Sequence, residues 1–203
     1  MKVLLINGSP HEKGCTYTAL SLIAGELKAQ GIETEILHVG GQPVGGCIGC
    51  GSGNGCVFGG VVNEAIEKAK TADAFVFGSP VHYASAAGNM ASFMDRLAYA
   101  GGKYLAYKPA AVCCSARRAG TTSTLDQLVK YPQFFHMPLV NGSYWAMVHG
   151  SNPEQVLQDA EGCAVMQELG RNMAWLLRCI EAGKAAGIDH PQNPPRPMTN
   201  FIR

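Results

Sequence analysis

Three short stretches of this chain carry hydroxyls and glycines, in spacings that could hold a ligand. The first is Asn7-Gly8-Ser9-Pro10, followed by His11, Gly14, Cys15, Thr16 and Thr18. An apolar run stops there and a helix-like pattern begins. Hydroxyls, free backbone amides and a helix N-terminus therefore gather at one place. Such a place attracts an anion without a dedicated cation, and it suits the terminal phosphate of a mononucleotide. Two phosphate motifs do not fit. Gly8 and Gly14 are one residue too far apart for G-x-x-x-x-G-K-[ST], and Cys15 stands where the lysine belongs. The glycines of residues 49–55 lack both the spacing and the preceding strand of a dinucleotide fingerprint. The competing reading is that Ser9 and Thr16 only cap a helix.

The elements around these stretches predict where they lie. Residues 2–6, 33–39, 74–78, 110–114 and 138–143 read as strands. Helical patterns cover 16–30, 61–71, 86–100, 124–131 and a long final region, 154–182. Strands alternating with helices predict an α/β fold, a doubly wound five-stranded parallel sheet in three α/β/α layers. Ligands of such sheets sit beyond the carboxyl ends of the strands. Three strands end in polar loops there, at residues 8–15, 79–83 and 115–122. Residues 1–203 read as one domain, closed by a proline-rich arm over about 190–203.

Composition narrows the partners. Hydrophobic residues make up 47% and charged ones 15%, which excludes a disordered chain, and a net charge of +1 without a basic block gives no footing for nucleic acid. No apolar run approaches a membrane span, and residues 3–6 are too short for a signal-peptide core. The expected location is the cytoplasm, where eight cysteines are thiols or ligands, not a disulfide framework.

Gly8-Ser9-Pro10 with Gly14-Cys15-Thr16 resembles the G-S-P-R-x-x-G-N-T loop of NADPH-dependent FMN reductase-like proteins. Ala72-Asp73, Gly78-Ser79-Pro80-Val81-His82-Tyr83 and Phe93-Met94-Asp95-Arg96 resemble further motifs of that family and of its iron–sulfur flavoprotein relatives, in the same order. The resemblance runs from Lys2 to about Ser143. It implies a flavodoxin-like fold and bound FMN. Ser9, Cys15, Thr16 and Thr18 would line the phosphate, with His11 close by; His11 and Cys15 replace the family's arginine and asparagine. Pro80, Val81, His82 and Tyr83 would flank the flavin ring. Ser115, Arg117, Arg118 and Gly120 belong to the loop that meets the flavin's polar edge in the family. A positive charge there favours an anionic reduced flavin and could hold the 2′-phosphate of NADPH. Asp95 and Arg96 read as structural or interface residues, because neighbours on a helix point apart.

Cys47, Cys50 and Cys56 form a C-x-x-C with a third cysteine beyond, inside the glycine-rich stretch 40–60. Close cysteines commonly ligate zinc or iron–sulfur clusters. Gly53 stands where another cysteine would complete C-x-x-C-x-x-C, so a [4Fe–4S] cluster is not the expected occupant. The expected function is an FMN-dependent NAD(P)H oxidoreductase. Electrons would pass through flavin N5 to a small acceptor: a quinone, a flavin, a nitro or azo compound, or a ferric chelate. The flavin carries the chemistry, and no protein acid or base is nominated. The alternatives are an iron–sulfur flavoprotein, or a flavodoxin-type carrier without its own NAD(P)H activity; the near-neutral charge argues against the carrier. A flavin exposed at a sheet edge needs cover, which points to a homodimer or homotetramer.

Overall fold

The computed structural model describes residues 1–53, 55–195, 197–199 and 201. Parts of two expected segments, residue 54 of the glycine-rich stretch and residues 196, 200, 202 and 203 of the arm, lie outside them. Strands β1 (Lys2–Asn7), β2 (Glu33–His38), β3 (Ala74–His82), β5 (Ala110–Ala116) and β6 (Met147–His149) form one parallel sheet in the order β2-β1-β3-β5-β6. A two-residue strand, β4 (Ser85–Ala86), pairs antiparallel with the end of β3. Among the described residues the sheet therefore has six strands, one more than expected.

β1, β3 and β5 are short aliphatic and aromatic runs because both their faces are buried. Val3, Leu5, Ala74, Val76, Ala111 and Cys113 face helices α1 (Cys15–Ala29) and α6 (Ala160–Ala185). Leu4, Ile6, Phe75, Phe77 and Ala110 face α2 (Val61–Thr71) and α3 (Gly88–Gly101), with Leu128 of α4 (Thr121–Phe134) on the same side. Phe75 and Phe77 stack with ring centroids 5.9 Å apart. Truncating Phe77, which has no exposed surface, would cost about 3–5 kcal/mol.

Two expectations need correction. The last strand is Met147–His149, not residues 138–143, which make only one bridge, Leu139 to Ala110. The chain bends out of the sheet at Ser143 and Tyr144; a Cβ on Gly142 would touch Val165, and Glu168 accepts from the Ser143 amide at 2.7 Å. The final helical region is also broken. A short α5 (Pro153–Val156) is capped by Asn152, and α6 is capped by Asp159, whose Oδ1 accepts from Gly162 N at 2.9 Å.

Candidate functional site

The sheet order turns back on itself between β1 and β3: the chain goes from β1 outward to β2, then returns to the other side. Beyond the carboxyl ends at that switch point, such sheets hold their ligands. The loop after β1 is closed by its own polar groups. Asn7 Oδ1 accepts from Ser9 N at 3.1 Å, and Asn7 Nδ2 donates to Glu12 O at 2.9 Å. Ser9 Oγ accepts from His11 N at 3.1 Å. His38 Nε2 lies 2.7 Å from Ser9 O, and a Cβ on Gly40 would collide with the Ser9 backbone. Ser9 and Thr16 are buried and His11 is exposed.

At the head of α1, Gly14 offers no side-chain cap, and the first turn holds no acidic residue. The amides of Thr16 and Tyr17 meet no acceptor among the described residues. Thr16 Oγ1 lies 2.8 Å from Ser115 Oγ, which ties the first loop to β5. Thr18 Oγ1 turns back to Gly14 O at 3.2 Å. Cys15 Sγ donates to Gly150 O at 3.5 Å, and burial raises its thiol above the ordinary range. Burial pushes the Cys114 thiol up to about 12 and raises Cys113 as well. At neutral pH these three stay thiols, not nucleophiles.

The second stretch is an ordered hairpin. Pro80, Val81 and His82 continue β3, and Tyr83 and Ala84 turn the chain into β4 with φ of 49° and 59°. Two left-handed residues between paired strands make a type I′ turn, normally built from Asn-Gly. A non-glycine residue there costs on the order of 1 kcal/mol, a strain that clusters at functional sites. Tyr83 is wholly exposed at this turn. The N-terminus of α4 holds the hairpin. Gln127 Oε1 accepts from Ser85 Oγ at 2.6 Å and Ala86 N at 2.9 Å, and Ser123 Oγ donates to Ala84 O at 2.7 Å. Gly120, at φ +89°, packs so closely that a Cβ would lie 2.7 Å from Ala84 Cα.

Arg117 and Arg118 stand exposed between β5 and α4, without an ion pair among the described residues. Ser115 is not a loop residue; it is buried on β5. The structure thus joins Ser9, Cys15, Thr16 and Ser115 into one cradle, and Pro80 to Tyr83 with Gly120 into another at the same sheet edge. This cradle fits a phosphate: it offers unpaired amides at the head of α1 and small side chains around them. Sequence reasoning missed Asn7, His38 and Gln127. Only Asn7 gave a signal, as an Asx-turn residue at a strand end.

The cysteine-bearing stretch is arranged differently. Arg96 is buried on α3 and donates through Nε to Cys56 Sγ at 3.1 Å, through Nη2 to Gly59 O at 3.2 Å and through Nη1 to Gly45 O at 3.5 Å. Asn63 pairs with both backbone groups of Cys56, at 2.7 and 3.0 Å. Cys47 is half-buried and Cys50 exposed. Among the described residues no three His, Cys, Asp or Glu side chains gather where they could hold a metal ion. No described helix is long and apolar enough to cross a membrane.

Comparison with known proteins agrees with the fold described above. An iron–sulfur flavoprotein of Methanocaldococcus jannaschii is 27% identical over 192 residues, which span 89% of this chain and all of that protein. An iron–sulfur flavoprotein of Archaeoglobus fulgidus is 35% identical over 101 residues, covering 47% of this chain and 48% of its own length. Among solved structures, RosB with a bound riboflavin-phosphate intermediate superposes with a TM-score of 0.68 at 15% identity, over 100% of this chain and 94% of its own. An archaeal flavodoxin gives 0.61 at 14%, over 88% and 99%. At such identities these structures establish the fold alone. The family model for NADPH-dependent FMN reductase matches residues 1–152, and the chain belongs to that family, on a flavodoxin-like fold.

Proposed function

We propose that this protein is an FMN-dependent NAD(P)H oxidoreductase that passes electrons to a small acceptor: a quinone, a free flavin, a nitro or azo compound, or a ferric chelate. The observation that carries this reading is the uncapped head of α1 beside the Thr16–Ser115 hydroxyl pair. Ser9, Thr16, Thr18 and the amide of Cys15 would hold the phosphate of FMN, with His11 at its border. Pro80, Val81, His82 and Tyr83 would flank the ring, and Ser115 and Gly120 would line its polar side. Arg117 and Arg118 supply positive charge for the reduced ring or for the phosphates of the donor. Bound FMN supplies the hydride chemistry; the chain positions it and excludes water. Exposed Tyr83, Ile48, Val57 and Phe58 are suited to contact with a second copy of the chain, as a homodimer or homotetramer.

The test is an anaerobic incubation with FMN, removal of free cofactor, and a visible spectrum before and after NADH or NADPH. Retained flavin bands that bleach with either donor support the reading. Retained bands that never bleach would favour a carrier, and a colourless protein would remove FMN altogether. A second reading, an iron–sulfur flavoprotein, is favoured by the names of two relatives and by Arg96, a buried cation without a carboxylate partner among the described residues. It requires residues 47–53 to move so that Cys47 and Cys50 approach Cys56. Iron analysis of anaerobically purified protein decides it, and absence of stoichiometric iron removes it.

A further inference from the structure

The sheet has a gap that the flavin cradle does not explain. On β5 the peptide groups of alternate residues face the chain that runs from Pro138 to Gly150. Ala110 N donates to Pro138 O and Val140 N to Ala110 O, both at 2.9 Å; Cys114 N donates to Ala146 O and Gly150 N to Ala116 O, both at 3.0 Å. Val112 sits on the same edge between them. Its N–H and C=O meet no partner among the described residues. The segment that should pair with it, residues 141–145, is held away by α6. Glu168 accepts from Ser143 N, and Asn172 Nδ2 donates to Asn141 O at 2.8 Å.

The space left behind is a cavity of about 380 Å³, within the range of roughly 300–1,000 Å³ that small-molecule sites occupy. Val112 is on its wall, with Leu125, Asp126 and Val129 of α4 on one side and Tyr144 and Trp145 on the other. The two rings meet edge to face, 4.7 Å between centroids.

We propose that this cavity binds adenine, as part of an adenine nucleotide. In an extended strand, the N–H and C=O of one residue point the same way, so Val112 presents a donor and an acceptor at fixed spacing. Adenine carries the matching pair on one edge, the N1 acceptor beside the N6 amino donor. Leu125, Val129 and Trp145 supply apolar and aromatic cover for a flat base, and the Asp126 carboxylate can accept from ribose hydroxyls. β5 leads from Val112 to Arg117 and Arg118, two exposed cations open to phosphates. The identity of the nucleotide as NAD(P)H rests on the donor reading above; the base assignment rests on the cavity.

The chain has two tryptophans, so in Trp175→Phe the emission of Trp145 reports on this cavity alone. The FMN-loaded Trp175→Phe protein, whose phosphate cradle is filled, is titrated with AMP, IMP and nicotinamide mononucleotide. AMP is expected to change the emission saturably. IMP, with donor and acceptor reversed on that edge, should bind about tenfold more weakly, and nicotinamide mononucleotide should leave the signal flat. Val129→Phe, which fills the cavity, should abolish the AMP response and leave the flavin spectrum intact. No response to AMP through the millimolar range, or equal binding of AMP and IMP, would overturn the assignment. If Val129→Phe does not fold, the AMP–IMP comparison decides alone. AMP binding without any NAD(P)H oxidation would remove the donor reading and leave the adenine site standing.

Discussion

The loop after β1 and the stretch before α2 are both glycine-rich, yet they are built on opposite plans. The first closes mostly on itself: Asn7, Ser9 and His11 bond within a few residues, His38 meets Ser9 O from β2, and unpaired amides of α1 remain open. The second is suspended from outside, by Arg96 and Asn89 on α3 and Asn63 on α2. Between those anchors Ile48, Cys50 and neighbouring glycines lie exposed. A loop already ordered in the free chain loses less entropy when a ligand arrives. This is what a phosphate held by backbone amides needs.

The suspended loop should break first. Arg96→Met removes three interactions and strands two carbonyls, and it should cost about 3 kcal/mol in denaturant unfolding. Limited proteolysis should then cut within residues 45–59, while FMN absorbance is retained by the intact first loop. Arg96→Lys restores the charge but not the fork, so it should recover only part of the loss. Equal loss of FMN and of loop protection in Arg96→Met would mean that the two regions are one unit.

The two cradles at the sheet edge should respond to smaller changes. Gly120→Ala places a Cβ against Ala84 at a left-handed φ, and about 2 kcal/mol of stability should go with it. The hairpin carrying Tyr83 would shift, so any flavin fluorescence quenched by the protein should partly return. Thr16→Val leaves the Ser115 hydroxyl buried without its partner and should cost about 1 kcal/mol. Its effect on FMN should be larger than its effect on folding, about tenfold in Kd by fluorescence titration. A Kd unchanged in Thr16→Val would separate the hydroxyl pair from the phosphate.

The residues around Ser9 were legible because the signal is local: an apolar strand, a Gly-Ser-Pro stop and a helix start within a short span. The partners that turn that loop into a cradle were not. Thr16 and Ser115 meet across 99 positions of sequence, and Gln127 reaches back 41 to hold Ala86. Only the sheet order brings such pairs together. The strands β1, β2, β3 and β5 were readable from short apolar runs bounded by glycine or proline. Residues 138–143 misled for a physical reason: Leu139 and Val140 look like a strand, but the chain bends out of the sheet at Ser143 and Tyr144, and α6 takes the Ser143 amide. Arg96 could be read as structural from its place beside Asp95, but its grip on Cys56 could not.

The two plans share one support, and it gives the smallest effect. Glu35 on β2 accepts from Lys2 Nζ, at 2.8 Å, and from Lys68 Nζ, at 2.6 Å. Lys2 begins the strand that leads into the first loop; Lys68 belongs to the helix that follows the cysteines. Hydrogen bonds from Lys2, then from Lys68, hold the Glu35 carboxyl below its ordinary range. A depressed acid stabilises the folded state above its unfolded pKa, and the contribution is lost as pH falls through the lower folded value. Both ammonium groups are partly solvated, so Glu35→Gln should cost only about 0.5 kcal/mol at pH 7. The difference from the parent should shrink below about pH 4 and in high salt, where screening weakens the pair. Because Glu35 touches both supports, the loss should appear equally as proteolysis near residue 50 and as weaker FMN retention. A loss confined to one readout would show that β1 and α2 carry their loops independently.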